Sequence, residues 1–195
     1  RGRPGWHIEC SAMSMKYLGE SFDLHTGGID NIFPHHEDEI AQSEAATGRQ
    51  FVKYWMHCAH LVVDGRKMSK SLGNFYTLRD VIRKGYSGRE IRYSLLSAQY
   101  LQQLNFTFPA LDAARASLRR IDEFAARLHE AAEQNPPSAA QDSKAEASGC
   151  PAWLAGYRDK FRAAMDDDLN VPVALAALFD LAHEGNRRMD SSRLT

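Results

Sequence analysis

SFDLHTGGIDNIFPHHEDEIAQSEAATGRQFVKYWMH, residues 21–57, decides the fold, because it predicts a strand, a helix and a second strand in succession. SFDLHTGG predicts a strand that runs into a glycine turn, and FVKYWMH predicts the next strand. Between them, Pro34 suits the first turn of a helix and Gly48 suits its C-terminal end. Alternation of this kind is typical of an α/β domain.

Shorter segments extend the alternation on both sides. WHIEC, residues 6–10, predicts a buried strand, and the helix after it is expected to end at Gly19. Downstream, AHLVVDGRK predicts two strands that a hairpin turn joins at Asp64 and Gly65. Both segments therefore favour an α/β domain over residues 1–105.

Helix starts are marked by capping residues. Thr77 can cap the helix TLRDVIRKG, and Ser87 with Glu90 forms a capping box for the helix that follows. Asn170 is a candidate cap for the last helix of the chain. From Pro109 onward the apolar residues recur at helical spacing, which predicts a helical bundle. The polar, proline-containing stretch 134–149 predicts a flexible linker within this region.

Composition excludes several classes of protein. The 24 basic and 25 acidic residues nearly balance, so no global field attracts nucleic acid, and any such contact must come from local patches. The sequence contains no apolar run long enough to span a membrane and no signal-peptide pattern, so we expect a soluble, cytoplasmic protein. Three cysteines indicate a reducing compartment rather than a disulfide framework. Because the chain opens without methionine directly on an apolar segment, we also expect an N-terminal portion to be missing.

The helix that begins at Pro34 carries candidate metal ligands. His35 and Glu39 are four residues apart, so their side chains lie on one helical face and can share a metal ion. The thiolate of Cys10 is the strongest candidate for a further ligand, and such a mixed set suits zinc. The alternative is a solvated helix N-terminus, where acidic residues stabilise the helix dipole. Spacing alone leaves both open.

A second cluster, KMSKSLGN at residues 67–74, follows the predicted hairpin. Its lysines, Lys67 and Lys70, can offset the charge that develops on phosphates during nucleotidyl transfer. The spacing is not that of a P-loop. As a composition the loop is unspecific, since lysine-serine loops are common, but as a literal string it is distinctive.

KMSKS is the second signature of class I aminoacyl-tRNA synthetases, and GWHIEC, FPHHEDEIAQ and MSKSLGN together resemble the cysteinyl-tRNA synthetase family. The resemblance extends over essentially the whole chain, because DDDLNVPVALAALFDL is similar to that family's helical domain. It implies the C-terminal half of a Rossmann-like catalytic domain at 1–105, followed by an α-helical bundle domain at 106–195. The family's N-terminal HIGH motif and its anticodon-binding end have no counterpart here.

The resemblance also implies a zinc site. The family holds Zn²⁺ with two cysteines, a histidine and a glutamate, and Cys10, His35 and Glu39 match three of these positions. The fourth ligand, a cysteine near the HIGH motif, has no counterpart. The implied Zn²⁺ binds the thiolate of substrate cysteine, which serine imitates poorly because its hydroxyl is harder and far less acidic. His36 is expected on a different helix face and outside the metal site.

Further roles follow from the same resemblance. Lys70 with Lys67 is expected to stabilise the phosphates of ATP, which binds with Mg²⁺, and Ser69 and Ser71 to contact the nucleotide. The expected residues around substrate cysteine are Trp6, Asp30 and His25, with Asp30 holding the ammonium group. Each has a structural alternative: Trp6 as a core side chain, Asp30 as a turn acid, and His25 as a strand histidine bonded to backbone.

The implied reaction is the ATP-dependent activation of cysteine and its transfer to tRNA(Cys), in a protein expected to be a monomer. A cysteine ligase of mycothiol synthesis, which joins cysteine to an amino sugar, shares this chemistry without RNA and remains an alternative. The other alternative is an inactive truncated fragment. We expect these 195 residues to be inactive alone.

Overall fold

The computed structural model describes residues 4–134 and 151–191, and these divide into two compact units. The first unit contains residues 4–62 with Tyr100–Leu104, and the second contains Val63–Gln99 with the described residues from Asn105 onward. Apart from Gln134, the predicted linker 134–149 lies outside the described residues, as does Cys150. The predicted domain boundary at residue 105 stays a prediction.

The first unit is built on a parallel strand pair. Its elements are, in chain order, α1 (Trp6–Leu18), β1 (Phe22–Gly28), the short helical turns Ile29–Asn31 and Ile32–His36, α2 (Glu37–Thr47) and β2 (Val52–Cys58). β1 pairs with β2 in parallel, with Phe22 opposite Val52 and Gly28 opposite Cys58. Since parallel neighbours need a crossover connection, α2 serves as that crossover. The strand–helix–strand prediction for residues 21–57 is confirmed.

The prediction of a strand for residues 6–10 is wrong, because this segment forms the first turns of α1. It contains one β-branched residue, Ile8, and it continues without a break into alanine, methionine and lysine, which favour helix. Trp6 is 63% exposed rather than buried. The expected end of the helix is confirmed, since Gly19 adopts φ 91° and its amide donates to the carbonyl oxygen of Met15.

Polar side chains join α1 to α2. The hydroxyl of Ser43 donates to Oγ of Ser11 at 2.9 Å, and both residues are buried. Nε2 of Gln42 donates to the carbonyl oxygen of His7 at 2.7 Å and also to the hydroxyl of Ser11. The interior of this unit is therefore largely polar; its buried residues are Ser11, His36, Glu39, Ser43, Phe51 and Val52.

The second unit combines a small sheet with helices. Its elements are β3 (Val62–Val63), which begins one residue before the unit, β4 (Arg66–Lys67), α3 (Leu78–Arg83), α4 (Gly88–Leu96), β5 (Asn105–Phe106), α5 (Phe108–Gln134), α6 (Ala152–Asp166) and α7 (Val171–Asp190). The sheet order is β4-β3-β5, and β5 had no counterpart among the sequence predictions. Asp64 and Gly65 both adopt positive φ, 50° and 71°, which suits the predicted hairpin turn.

The helices of this unit start largely where their capping residues predict. Thr77 and Ser87 each form the N-terminal half of a complete capping box. Asn170 occupies the N-cap position of α7, but its side chain donates to Asp167 rather than capping the helix. α5 packs against α4 and α7, and α6 packs against α7, so the predicted bundle is present. Within residues 4–134 and 151–191, every helix is too short or too polar to cross a lipid bilayer.

Candidate functional site

Glu39 lies at the centre of the first unit's ionisable residues. Its side chain is completely buried, with Oε1 2.8 Å from Nε2 of His35 and Oε2 2.9 Å from Nε2 of His25. Cys10, His35 and Glu39 present one ligand atom each, and these three atoms lie within 4.8 Å of one another. The structure therefore brings the three sequence-predicted ligands together.

The carboxylate oxygen Oε1 of Glu39 is buried without a hydrogen-bond partner among the described residues. His35 approaches it at ion-pair distance but without hydrogen-bond alignment, so this buried oxygen has no hydrogen-bond partner among the described residues. A buried, unpaired carboxylate oxygen is destabilising, and a bound cation would satisfy it. Because thiolate, imidazole and carboxylate are the groups that zinc prefers, these residues fit Zn²⁺.

Cys10 lies half-buried on α1, close to the carboxylate of Glu39. Burial, and then the negative charge of Glu39, raise the pKa of the Cys10 thiol. Without a cation the group is therefore held in its protonated form. Metal binding would release that proton, which makes the affinity of such a site pH-dependent.

The turn Ile32–His36 brings two neighbouring histidines to the interior. Phe33 is extended within it, at φ −134° and ψ 132°, so the helical phase is interrupted before α2 begins. The rings of His35 and His36 lie 5.5 Å apart, and His36 is buried. His35 and His36 both follow Phe33 in helical conformation, so the expectation that His36 lies on a different helix face and outside the metal site stays a prediction.

His36 pairs with a second histidine. Its Nδ1 lies 2.8 Å from Nε2 of His57, the residue of β2 that faces Gly27 across the strand pair. Burial first, and then the neighbouring His25 and His57, lower the pKa of His36 to about 4. His36 is therefore neutral at physiological pH. The sequence predicted no metal-site role for His36 or His57, although the adjacent His35 and His36 in an acidic segment are a signal.

The glycines at the end of β1 make room for these groups. A Cβ on Gly27 would lie 2.6 Å from Cε1 of His36, and one on Gly28 would lie 2.4 Å from Oδ1 of Asp30. Both distances are shorter than real Cβ contacts. A side chain at Gly27 would have to displace the buried imidazole of His36, whereas the exposed carboxylate of Asp30 could rotate away from one at Gly28. The sequence predicted a turn here; the structure shows that the glycines also permit close approach.

The three residues expected around substrate have different surroundings. The ring of Trp6 lies 4.3 Å from that of His35, which places it at the edge of the metal-ligand set. Nδ1–H of His25 donates to the carbonyl oxygen of Thr26 at 3.2 Å while Nε2 faces Glu39. The expected backbone contact is therefore present, and a role of His25 at the substrate stays a prediction. Asp30 is exposed, and its Oδ1 lies 3.4 Å from Nε2 of His60.

The lysine loop of the second unit is held by its own side chains. Asn74 accepts from the amide of Ser69 at 2.9 Å and donates to the carbonyl oxygen of Lys67 at 3.1 Å. The hydroxyl of Ser69 accepts from the amide of Ser71, which caps the short helix Lys70–Leu72. Asn74 ends the KMSKSLGN string without a role predicted from the sequence, and the structure makes it the residue that closes the loop.

The two lysines of this loop remain available to an anion. Among the described residues, neither Lys67 nor Lys70 forms an ion pair with an acidic side chain. Nζ of Lys70 lies 5.6 Å from the centre of the Phe75 ring, a distance typical of a weak cation–π contact. Their positive charge is therefore not neutralised within the described chain.

Comparison with known proteins identifies a family for the chain. Residues 1–116 match the family model described as tRNA synthetases class I (C) catalytic domain, and residues 160–194 match the DALR domain. A cysteine–tRNA ligase of Protochlamydia amoebophila is 50% identical over 194 residues, covering all of this chain and 38% of that protein. A cysteine–tRNA ligase of Chlamydia abortus is also 50% identical, over all of this chain and 39% of its own length.

Solved structures share the fold at lower identity. The LeuRS of Agrobacterium radiobacter K84, in complex with tRNA and LeuAMS, superposes with a TM-score of 0.63 at 19% identity, over 86% of this chain and 23% of its own. The methionyl-tRNA synthetase of Mycobacterium tuberculosis gives a TM-score of 0.57 at 21% identity, over 87% of this chain and 34% of its own. The chain spans about two fifths of its curated relatives, and it belongs to the class I tRNA synthetase family that the matched catalytic-domain model describes.

Proposed function

We propose that this chain is the part of a cysteine–tRNA ligase that selects cysteine and carries the lysine loop for ATP. The observation that carries the proposal is the convergence of Cys10, His35 and Glu39, whose ligand atoms lie within 4.8 Å around a buried carboxylate oxygen without a hydrogen-bond partner. The names of the relatives, cysteine–tRNA ligase in both cases, support the same substrate.

Cys10, His35 and Glu39 would hold Zn²⁺ on the first unit. When bound, the metal supplies a thiophilic centre that holds the thiolate of cysteine and discriminates against the hydroxyl of serine. Glu39 and His35 come from one turn of chain while Cys10 comes from α1, so the packing of α1 on α2 sets the separation of the ligands. Recognition through a metal gives a selectivity that an apolar pocket of the same size does not reach.

The neighbouring side chains would orient the substrate. Trp6, whose ring lies 4.3 Å from that of His35, offers an aromatic wall beside the metal ligands. Asp30 offers a carboxylate to the substrate ammonium, and its exposed position leaves it accessible. His25 contacts the carboxylate of Glu39 and so holds a ligand in place, which makes it a positioning residue.

The lysine loop would serve ATP and its Mg²⁺. Lys67 and Lys70 would balance the charge that builds on the phosphates as the carboxylate of cysteine attacks the α-phosphorus and pyrophosphate leaves. Ser69 and Ser71 would contribute hydroxyl groups to the nucleotide. Transfer of the cysteinyl group to tRNA(Cys) would complete the reaction.

Binding of cysteine to the Zn²⁺-loaded chain tests the proposal. Equilibrium dialysis with labelled cysteine is expected to show saturable binding that excess serine does not displace. Cys10→Ala should abolish this binding, while Cys58→Ala, at an exposed cysteine of the same unit, should preserve it. Equal displacement by serine, or full binding in Cys10→Ala, would contradict the proposal.

Catalysis by the chain alone is a separate question. Because the chain spans only 38–39% of its relatives, cysteine-dependent ATP–pyrophosphate exchange by these 195 residues is expected to stay at background. Exchange clearly above background would show that the described lysine loop and the metal-ligand residues suffice for activation.

A further inference from the structure

The lysine loop is attached at both of its ends to the segment that begins α5. On the upstream side β5 pairs with β3, and Oδ1 of Asn105 accepts a hydrogen bond from the amide of Gly65 at 2.8 Å. The carbonyl oxygen of Phe106 accepts from the amide of Asp64 at 3.2 Å. Because β4, which carries Lys67, follows this same turn, the position of Lys67 depends on that of β5.

Phe108, the first residue of α5, holds the downstream side. Its ring meets the ring of Tyr76, just beyond the loop, edge to face, with 5.1 Å between the ring centres. The rings of Phe106 and Tyr86 also pack against it, at 6.3 Å and 5.9 Å, and Nζ of Lys84 lies 4.9 Å from its centre. Since edge-to-face contacts favour particular ring orientations, Phe108 restricts where Tyr76 can lie.

The aromatic pair that follows the loop connects this contact to a lysine. Phe75 and Tyr76 are adjacent in a segment that is neither helix nor strand. Tyr76 is half-buried against Phe108, whereas Phe75 is 42% exposed and its ring centre lies 5.6 Å from Nζ of Lys70. The two neighbouring rings thus contact different partners through one stretch of backbone. A displacement of Tyr76 would therefore move the ring that Lys70 contacts.

α5 is itself held in place by contacts outside the loop. Nη2 of Arg115 donates to the carbonyl oxygen of Gly85 at 2.7 Å, and Nε of the same side chain donates to Glu90 of α4. The hydroxyl of Tyr86 donates to the carboxylate of Asp112 at 3.0 Å. Phe108 therefore belongs to an element whose position is fixed independently of the lysine loop.

We propose that Phe108 is a positioning residue of the lysine loop. By holding Tyr76 it fixes the end of the loop nearer Lys70, while β5 fixes the end that carries Lys67. Phe108 contacts no phosphate itself, and its consequence for ATP rests on the proposed function, in which the two lysines bind the phosphates. A loop that is ordered before the nucleotide arrives loses less conformational entropy on binding, so its affinity is higher.

Hydrogen exchange of the nucleotide-free chain tests the positioning itself. Phe108→Leu keeps an apolar side chain but removes the edge-to-face contact, so the amides of residues 69–76 should exchange about two- to tenfold faster. Phe124→Leu is the matched control, because Phe124 is buried further along the same helix, against Gly185. It should lower the free energy of unfolding without changing exchange in the loop. Unchanged exchange in Phe108→Leu, or equal acceleration in both variants, would overturn the proposal.

Protection of lysines by MgATP tests the consequence for the nucleotide. Brief acetylation with acetic anhydride, mapped by mass spectrometry, reports how accessible each lysine amine is. Rising MgATP should protect Lys67 and Lys70 of the wild type but not Lys160, which is exposed on α6. Phe108→Leu should need about two- to tenfold more MgATP for half-protection, and Phe124→Leu should match the wild type.

The two measurements separate this inference from the proposed function. If MgATP protects neither lysine of the wild type, the role of the lysine loop in the proposed function fails, and hydrogen exchange still decides whether Phe108 orders the loop. If the wild type and Phe108→Leu are protected at the same MgATP concentration, Phe108 does not position the lysines, and the inference fails while the proposed function stands.

Discussion

Arg115 of α5 donates through Nε to Oε1 of Glu90 at 2.6 Å, and this pair joins α5 to α4. Oε2 of the same carboxylate accepts from the amide of Ser87 at 2.7 Å, which completes the capping box of α4. One side chain thus caps its own helix and fixes the neighbouring one. Chiefly through Arg115, and then through Ser87, the pKa of Glu90 falls to about 2.

Acidification should therefore weaken the second unit. Glu90 has a folded-state pKa below its ordinary value of 4.5, so its contribution is complete above pH 4.5 and is lost as the pH falls toward 2. At pH 7, Glu90→Gln is expected to destabilise the chain by about 1 kcal/mol, the usual value of a cap or a favourable ion pair. Urea unfolding at pH 7 and pH 3 measures the difference from wild type, which should shrink at the lower pH. Glu130→Gln, at an exposed position of α5, is the control, and a pH-independent difference for Glu90→Gln would contradict the mechanism.

Two helical glycines should respond to alanine in opposite directions. A Cβ on Gly185 would lie 2.6 Å from Cε2 of Phe124, so Gly185→Ala should destabilise the packing of α7 on α5 by about 1–3 kcal/mol. A Cβ on Gly156 of α6 would meet nothing within 4 Å, so Gly156→Ala should stabilise the chain by about 0.5–1 kcal/mol through helix propensity alone. Thermal or urea unfolding of both variants gives the sign. A Gly185→Ala chain as stable as the wild type would show that Phe124 does not depend on the glycine, and a destabilised Gly156→Ala chain would contradict the helix-propensity argument.

Charge removal at Glu39 should weaken zinc binding without a change of shape. Glu39→Gln keeps the size of the side chain but replaces a carboxylate oxygen by an amide, so we expect at least a tenfold loss of Zn²⁺ affinity. Glu37→Gln, two residues earlier on the exposed side of α2, should bind Zn²⁺ as the wild type does. Competition with a chromophoric chelator measures both affinities. Equal affinities would mean that Glu39 is not a ligand.

Asn74 should control the order of the lysine loop. Asn74→Ala removes the acceptor of the Ser69 amide and the donor to the Lys67 carbonyl, so the amide of Ser69 should exchange its hydrogen faster by about tenfold. That change corresponds to about 1.4 kcal/mol, the size expected for a hydrogen bond or two. Hydrogen exchange followed by mass spectrometry measures it, with the amides of β1 and β2 as internal references. Unchanged exchange at Ser69 would assign the order of the loop to other contacts.

Local signals predicted most of the described fold. The capping residues Thr77 and Ser87, the turn at Asp64 and Gly65, and the C-terminal glycine of α1 depend on a few neighbouring residues, so the sequence specifies them directly. The strand prediction for residues 6–10 is wrong because a five-residue window with one isoleucine does not distinguish a strand from a helix. β5 was not predicted because two residues are too few to show a period. Only the pairing with β3 makes Asn105 and Phe106 a strand.

The candidate site was predicted in part for the same reason. Regular helical spacing joins His35 to Glu39, and this contact is present at 2.8 Å. No local pattern predicts that Phe33 is extended, or that the regular helix begins only at Glu37. The contacts of Glu39 with His25 and of His36 with His57 join residues 14 and 21 positions apart, so they depend on how α2 and the turn before it pack against the two strands.

Because the interior of the first unit is largely polar, its folding equilibrium depends on the cations in the surrounding solution. A cation that binds only the folded state stabilises it by about 2.7 kcal/mol when its free concentration is 100 times the dissociation constant. In the second unit, whose buried residues are mostly apolar, the corresponding free energy comes from contacts within the chain. Given the proposed zinc site at Cys10, His35 and Glu39, the stability of the first unit depends on metal availability as well as on amino-acid sequence. A chelator would therefore act on this unit as a denaturant.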